Sequence, residues 1–308
     1  ELYNKASQEL DNLWKELPIP NQKIPSKGRS DLRPVSLGYK KYHELFNKRQ
    51  LLCLALILKR LLEVENSKHR ELLLLAFSDS LACNNRFCSY AFGYRKLTPL
   101  FGLHAFRRIS RPVEGNVWGT SIGRGSFSSC VLKVIRGKKY SEKPFEYVYK
   151  NNQPQRIESS QSAQATIVDD IKKFSKNDSS ISYLTIADSR KLSWIPEKSV
   201  DIVLTDPPYY NNLAYSEMAD FYFVWLKKHV KWAGNFNSRH TPINNTLFVR
   251  KPIDDEHNQY IKGLTSAFLG CRKAIKNDGI MVFTYHHVNR KAWEALTFAL
   301  RHSDFQVT

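Results

Sequence analysis

Cysteine is scarce in this chain. There are five in 308 residues, Cys53, Cys83, Cys88, Cys130 and Cys271, and no C-x-x-C pair. The odd count and the spacing argue against a disulfide framework and against a zinc ribbon or finger. Reduced, mostly buried thiols remain, as expected of a cytoplasmic protein. Long apolar runs are also missing. The most apolar stretch, residues 51–62, carries Lys59 and Arg60 and falls short of the roughly 20 residues a membrane span needs. No membrane partner is therefore expected. The first 16 residues are mixed in charge and helical in spacing, unlike a secretory leader. No internal repeat is visible. The chain starts with Glu1 rather than Met and ends at Thr308 in a predicted strand, as expected of a fragment. Acidic residues are in deficit, with 29 Asp and Glu against 47 Lys and Arg, a net charge of +18.

What is present is globular. Hydrophobic residues make up 42% and charged residues 25%, which excludes a largely disordered chain. A chain of this length makes one large domain or two ordinary ones and needs no covalent staple. The positive charge is concentrated. Residues 86–156 hold 14 Lys and Arg against 3 Glu, with Phe87, Tyr90, Phe92, Tyr94, Trp118 and Tyr147 interleaved. Basic groups among aromatics suit phosphates and unstacked bases. A solvated basic surface over an aromatic core is the alternative. Arg107, Arg108 and Arg111 are the candidate phosphate contacts.

The hydrophobic pattern divides the chain near residue 160. Helices are predicted over 2–16, 46–65, 67–83 and 126–140, with a Pro-, Gly- and Ser-rich loop at 18–38 and irregular structure over 84–126. Residues 151–162 read as a polar linker. Beyond it, helices are predicted over 163–174, 216–230, 259–276 and 290–301. Strands are predicted over 182–188, 199–206, 280–285 and 305–307, with Asp278-Gly279 as a turn. Alternation of strand and helix indicates a parallel sheet covered on both faces. Ligands in such folds lie beyond the carboxyl ends of the strands. Asp188, Asp206 and His286–His287 fall there. The expected organisation is a helical and irregular basic region over 1–160, then an α/β core over 161–308.

Asp206-Pro207-Pro208-Tyr209 follows the apolar strand residues 200–205. Here the chain resembles the amino-group methyltransferases that use S-adenosylmethionine and carry Asp-Pro-Pro-Tyr. The segments 200–205, 210–216 and 220–226, then 283–287 with 293–296, and 45–52 upstream, narrow the likeness. Together they resemble an adenine-specific DNA methylase family associated with phage defence. The matches are scattered over about 30–308 and dense only over 182–300. The resemblance implies a Rossmann-like class I methyltransferase sheet, incomplete in this chain, with a mostly helical and irregular basic insertion. It implies S-adenosylmethionine as cofactor, methylation of adenine N6 in double-stranded DNA, and other phage-defence or restriction–modification proteins as partners. The four residues themselves leave adenine N6 and cytosine N4 open.

The chemistry explains the motif. An exocyclic amine is a poor nucleophile because its lone pair is delocalised into the ring. Asp206 accepts one N–H and the Pro207 carbonyl the other, which localises the lone pair. Pro207 and Pro208 stiffen the turn, and Tyr209 stacks on a base that has left the duplex. The task is positioning and electrostatics, and no metal is needed. A turn after a buried strand is the bland alternative. By resemblance, Asp188 lies near the cofactor adenine and Asp206 near its methyl end; Asp188 could equally be a turn carboxylate or a helix cap. Tyr210, Asn211, Asn212, Tyr215, His286 and His287 are candidate contacts to the base or its strand, although paired histidines are more often structural. The Phe-x-Gly-x-Gly cofactor turn of the superfamily has no good copy. Residues 119–125 are glycine-rich, but no apolar strand precedes them. Two other readings stay open: methylation of RNA or a protein amide, and a non-catalytic nucleic-acid-binding module.

Overall fold

Asn47 shows how local chemistry sets the first long helix. Its side chain accepts from Gln50 N at 2.8 Å, and Gln50 returns the bond to Asn47 N at 3.0 Å, a reciprocal cap that removes two orphan donors. In the computed structural model this starts a helix at Lys48. The structure describes residues 1–102, 105–120, 124–159, 165–168, 170–173, 180–230, 241, 246–250 and 254–308. Among these the chain is mixed α/β, with eight α-helices and four separate two-stranded sheets.

In chain order the elements are α1 (Leu2–Leu13), α2 (Arg33–Ser36), α3 (Lys48–Leu62), α4 (Ser67–Leu81), β1 (Ser89–Ala91), β2 (Lys96–Thr98), α5 (Phe127–Glu142), β3 (Phe145–Lys150) and β4 (Gln153–Glu158). They continue as β5 (Thr166–Val168), β6 (Ile181–Tyr183), β7 (Val200–Thr205), α6 (Tyr215–Leu226), α7 (Asp254–Ala274), β8 (Ile275–Phe283) and α8 (Arg290–His302). Glu1–Thr166 with Glu217–Thr241 form one compact unit, and Ile167–Ser216 with Pro242–Thr308 the other. Residues 217–241 thus belong with the N-terminal part.

The N-terminal unit is built on an apolar core. Leu54, Leu58, Phe77 and Leu81 from α3 and α4 are buried with Phe221 and Trp225 of α6. Phe46 stacks on Phe221 at 5.5 Å, and Trp225 meets Phe46 and Phe77 edge-on at 5.3 and 5.7 Å. A buried polar knot ties the loop before α2 to α6. Arg29 donates to Asp220 at 2.9 Å, to the Glu217 carbonyl at 3.0 Å and to the Tyr42 hydroxyl at 2.8 Å. Glu217 accepts from Ser30 N at 2.7 Å and Asp31 N at 3.0 Å. Asp220 also accepts from Thr241 N and Oγ1, both at 2.7 Å. Charges removed from water in this way persist only when paired and hydrogen-bonded.

In the second unit β7 and β8 are parallel, with Ile202 opposite Ile280, Leu204 opposite Val282 and Thr205 opposite Phe283. Met281 and Phe283 pack against a core of Tyr260, Leu264 and Phe268 from α7 and Ala292, Ala295, Leu296 and Ala299 from α8. The opposite face carries Ile202, Leu204, Ile280 and Val282, all exposed. The register slips between Val200 and Ile202, where residues 276–279 bulge from β8. Gly279 is required in the bulge, because a Cβ there would stand 2.7 Å from the Asp201 carbonyl oxygen.

Several elements differ from those predicted. Of the expected linker over 151–162, residues 151–159 are not a simple linker, and residues 160–162 lie outside the described residues. Asn151 and Asn152 have φ of 50° and 58°, the left-handed pair of a tight hairpin turn, and they join β3 to β4. The irregular stretch 84–126 contains the β1–β2 hairpin. Over 163–174 the described residues form β5 and a 3₁₀ turn, Ile171–Lys173, rather than one helix. The β-branched run Thr166-Ile167-Val168 favours strand. Residues 163, 164, 169 and 174 lie outside the described residues. The strand predicted over 182–188 covers only Ile181–Tyr183. The Asp278-Gly279 turn is a bulge within β8 rather than its start. Residues 305–307 form no strand among the described residues.

Candidate active site at the carboxyl edge of β7 and β8

The register of the parallel pair decides which side chains meet. Thr205 lies opposite Phe283, so Asp206 and Thr284, each one residue further on, leave the sheet side by side. Asp206 Oδ1 accepts from the Tyr209 hydroxyl at 2.6 Å and from Thr284 Oγ1 at 2.9 Å. The two hydroxyls are themselves 3.0 Å apart, so two protons serve three contacts and both are drawn to the carboxylate. The Tyr209 and Thr284 hydroxyls, in that order, lower the pKa of Asp206 and keep it ionised. The same bond raises the pKa of Tyr209. Asp206 Oδ2 accepts no hydrogen bond from the described residues.

The two prolines are used differently. The Pro208 carbonyl accepts from the Tyr260 hydroxyl at 2.5 Å and from Tyr210 N at 3.1 Å. The Pro207 carbonyl accepts from none of the described residues. Tyr210 has φ of 51°, a conformation costly for a residue with a Cβ. It is held there by full burial and by its hydroxyl contact to His257 at 2.9 Å. Its side chain therefore anchors the loop from below, and it is not presented to a base as the sequence pattern led us to expect. The Tyr209 ring is set edge-on against Tyr285 at 5.3 Å, which in turn meets Trp293 at 5.2 Å.

His287 fixes the next residue of the loop. Asn289 N donates to its Nδ1 at 2.8 Å, so the ring proton sits on Nε2, 2.9 Å from Asn211 Oδ1. The Asn211 amide N–H groups have no acceptor among the described residues. Burial, chiefly, lowers the pKa of His287, which keeps the ring neutral into more acidic solution. Trp293 Nε1 donates to the His287 carbonyl at 2.9 Å. Asn212 and His286 are exposed, as is Tyr215 at the start of α6.

Asp188 is not at a strand end. It forms a turn with Arg190, accepting from Arg190 N at 3.0 Å and from the guanidinium at 2.6 and 2.8 Å. The Arg190 side chain leads the lowering of its pKa to about 2. Arg107, Arg108 and Arg111 are exposed in the N-terminal unit, and Arg111 lies over the Phe92 ring at 5.0 Å. Thr284, Tyr260, Tyr285 and Asn289 were not singled out in the sequence. Thr284 becomes significant only through the β7–β8 register, which one strand read alone does not reveal.

All five cysteines are free, and burial pushes the Cys88 and Cys130 thiols up to about 12. No group of three or more His, Cys, Asp or Glu among the described residues is placed to hold a metal. No described helix is long and apolar enough to cross a membrane. No family model matches the chain, and no curated protein and no solved structure matches it either.

Proposed function

We propose that this chain acts on an exocyclic amine of DNA, most specifically adenine N6, as the amine-activating part of an S-adenosylmethionine-dependent methyltransferase of the cytoplasm. One observation carries the reading: two acceptors on successive residues, Asp206 Oδ2 and the Pro207 carbonyl, accept from no donor among the described residues, while Oδ1 and the Pro208 carbonyl are engaged. An amine has two N–H groups to give such a pair. Accepting both draws the nitrogen toward tetrahedral geometry and frees its lone pair. The carboxylate costs no reorganisation, because Tyr209 and Thr284 already hold it. Tyr209, braced by Tyr285, offers a ring face to an extruded base. Asn211, oriented by His287, offers N–H donors to a ring nitrogen. Arg107, Arg108 and Arg111 supply phosphate contacts in double-stranded DNA.

S-adenosylmethionine would supply a methyl group on a sulfonium, a good leaving group. Its expected holders are not in place among the described residues. Asp188 is occupied by Arg190, and no described glycine turn follows an apolar strand. Neither Asp188 nor a glycine turn among the described residues therefore offers the ribose a holder. This favours a second reading, a nucleic-acid-binding module without turnover. Calorimetry with S-adenosylmethionine separates the two. We expect millimolar affinity, about 4 kcal/mol, and with labelled cofactor at that concentration, label on adenine N6 of duplex DNA. No label at saturating cofactor excludes the methyltransferase reading for this chain; micromolar affinity shows that a complete holder exists in it.

Thr284 gives a sharper test. Thr284→Val removes one of two donors that depress the Asp206 pKa. That pKa then rises toward the ordinary carboxylate value. Because the ionised form accepts the amine, the acid limb of the pH–rate profile is expected to move to higher pH, while the plateau rate changes less. An unmoved acid limb would show that the Asp206 charge does not set it.

A further inference from the structure

We infer that the N-terminal unit carries a second binding site, a cleft shaped for a phosphate joined to a planar ring, the chemistry of a nucleotide. The cleft has a volume of about 540 Å³ and is lined by Tyr39, Gln50, Arg86, Arg107, Arg108 and Glu114, among others. Such a volume suits a small organic ligand rather than a lone ion.

Charge is the first argument. Arg86, Arg107 and Arg108 have no carboxylate partner among the described residues. The one carboxylate in the lining, Glu114, is spent on a bidentate pair with Arg49 at 2.8 and 2.8 Å and on Asn47 Nδ2 at 2.9 Å. The cleft is thus lined by three arginines without a carboxylate partner among the described residues, and the carboxylate in its lining is already paired. Guanidinium forks bind phosphate oxygens in pairs, which favours phosphate over halide or carbonate.

The second argument is preorganisation. Arg86 sits in a pinned turn: its own N donates to the Leu45 carbonyl at 2.8 Å. Buried Asn85 beside it donates to the Leu81 and Ala82 carbonyls at 2.9 and 3.0 Å and accepts from Phe87 N at 2.9 Å. On the other wall, Phe106 N donates to Asp31 at 2.9 Å. The buried Phe106 ring packs against Phe87 at 5.5 Å and Phe101 at 5.1 Å. The backbone of Arg107 thus starts from a fixed point, and less entropy is lost when its side chain engages an anion.

The third argument is the ring. The Arg86 guanidinium lies 5.5 Å from the centre of the Tyr39 ring. At that distance the cation is attracted by the ring, a contact that needs no acceptor and leaves the guanidinium N–H groups to serve oxygen acceptors. The same flat surface extends to a base. This chemistry has two sources, a free nucleotide or a phosphate within a nucleic-acid strand. The site shares Arg107 and Arg108 with the DNA contacts proposed above, but it lies in a different unit from Asp206 and its occupancy is read without methyl transfer.

Calorimetric titration of the 308-residue chain with adenosine 5′-monophosphate, adenosine, inorganic phosphate and a short oligo(dA) lacking terminal phosphates tests the proposal. We expect the monophosphate or the oligonucleotide to bind at least about tenfold more tightly than adenosine or phosphate alone, a difference of about 1.4 kcal/mol. Arg86→Ala and the pair Arg107→Ala with Arg108→Ala are each expected to lose about that factor. Arg86→Lys should keep phosphate affinity and lose part of the preference for the ring. A stronger oligonucleotide assigns the cleft to a nucleic-acid strand, and a stronger monophosphate assigns it to a free nucleotide. Equal binding of adenosine and its monophosphate, or unchanged affinity in folded arginine variants, overturns the site. Asp206→Ala should leave these titrations unchanged, so failure here and failure of methyl transfer are separate results.

Discussion

Replacing Asp206 with alanine is expected to lower methyl transfer to DNA by about 1,000-fold or more, the scale on which a preorganised charge-stabilising group acts. The carboxylate is the group that accepts an N–H of the target amine, and its orientation is already set by Tyr209 and Thr284. The alanine variant leaves those hydroxyls to each other at 3.0 Å, so the loop need not collapse. Asp206→Asn is expected to be about as inactive, because an amide carbonyl is a weaker acceptor and its N–H₂ can face the amine. DNA affinity should change by no more than about twofold, since phosphate contacts carry most of it. Labelled-cofactor transfer measured beside a binding titration checks both. Near-normal turnover in either variant would remove Asp206 from the chemistry.

Loss of Arg29 is expected to destabilise the N-terminal unit strongly. Arg29→Met should cost about 3–5 kcal/mol, the range for breaking a buried ion pair from one side. The Arg29 and Asp220 side chains are 4% and 0% exposed, and Glu217 is 4% exposed. Removing the guanidinium leaves two carboxylates in a dry site. Glu217 keeps its donors from Ser30 and Asp31, and Asp220 keeps Thr241. The residual penalty therefore falls chiefly on the second oxygen of Asp220, which loses the charged donor and keeps the Tyr42 hydroxyl at 3.3 Å. Arg29→Lys preserves charge without the fork and should recover part of the loss. Thermal and urea unfolding followed by circular dichroism test this. A loss under about 1 kcal/mol for Arg29→Met would mean that water or a neighbouring group compensates the carboxylates.

The sequence on its own located the long helices and the strand before the motif. Residues 48–62 carry an apolar stripe behind an Asn-x-x-Gln cap, and residues 290–302 a stripe of alanine and leucine, and both are helical. The run 200–205 followed by Asp-Pro-Pro-Tyr placed a carboxylate at a strand end, where it stands. Local periodicity and capping suffice there, because the signal and the structure span the same few residues. Short elements were less legible. The hairpin through Asn151 and Asn152 was readable from its turn chemistry, yet its polar strands resembled a linker. Tertiary structure decided what depends on distant pairing. Thr284 reaches Asp206 only because β7 and β8 are parallel and in one register, with residues 276–279 bulged out. Tyr210 turns inward only because Tyr260 and His257 meet it across the second unit's core. Arg29 finds Asp220 far along the chain, and Arg86 finds Tyr39 beside the same cleft as Arg107 and Arg108. Such contacts leave no periodic trace in a single sequence, because each is fixed by the packing of whole elements and not by the spacing of neighbours.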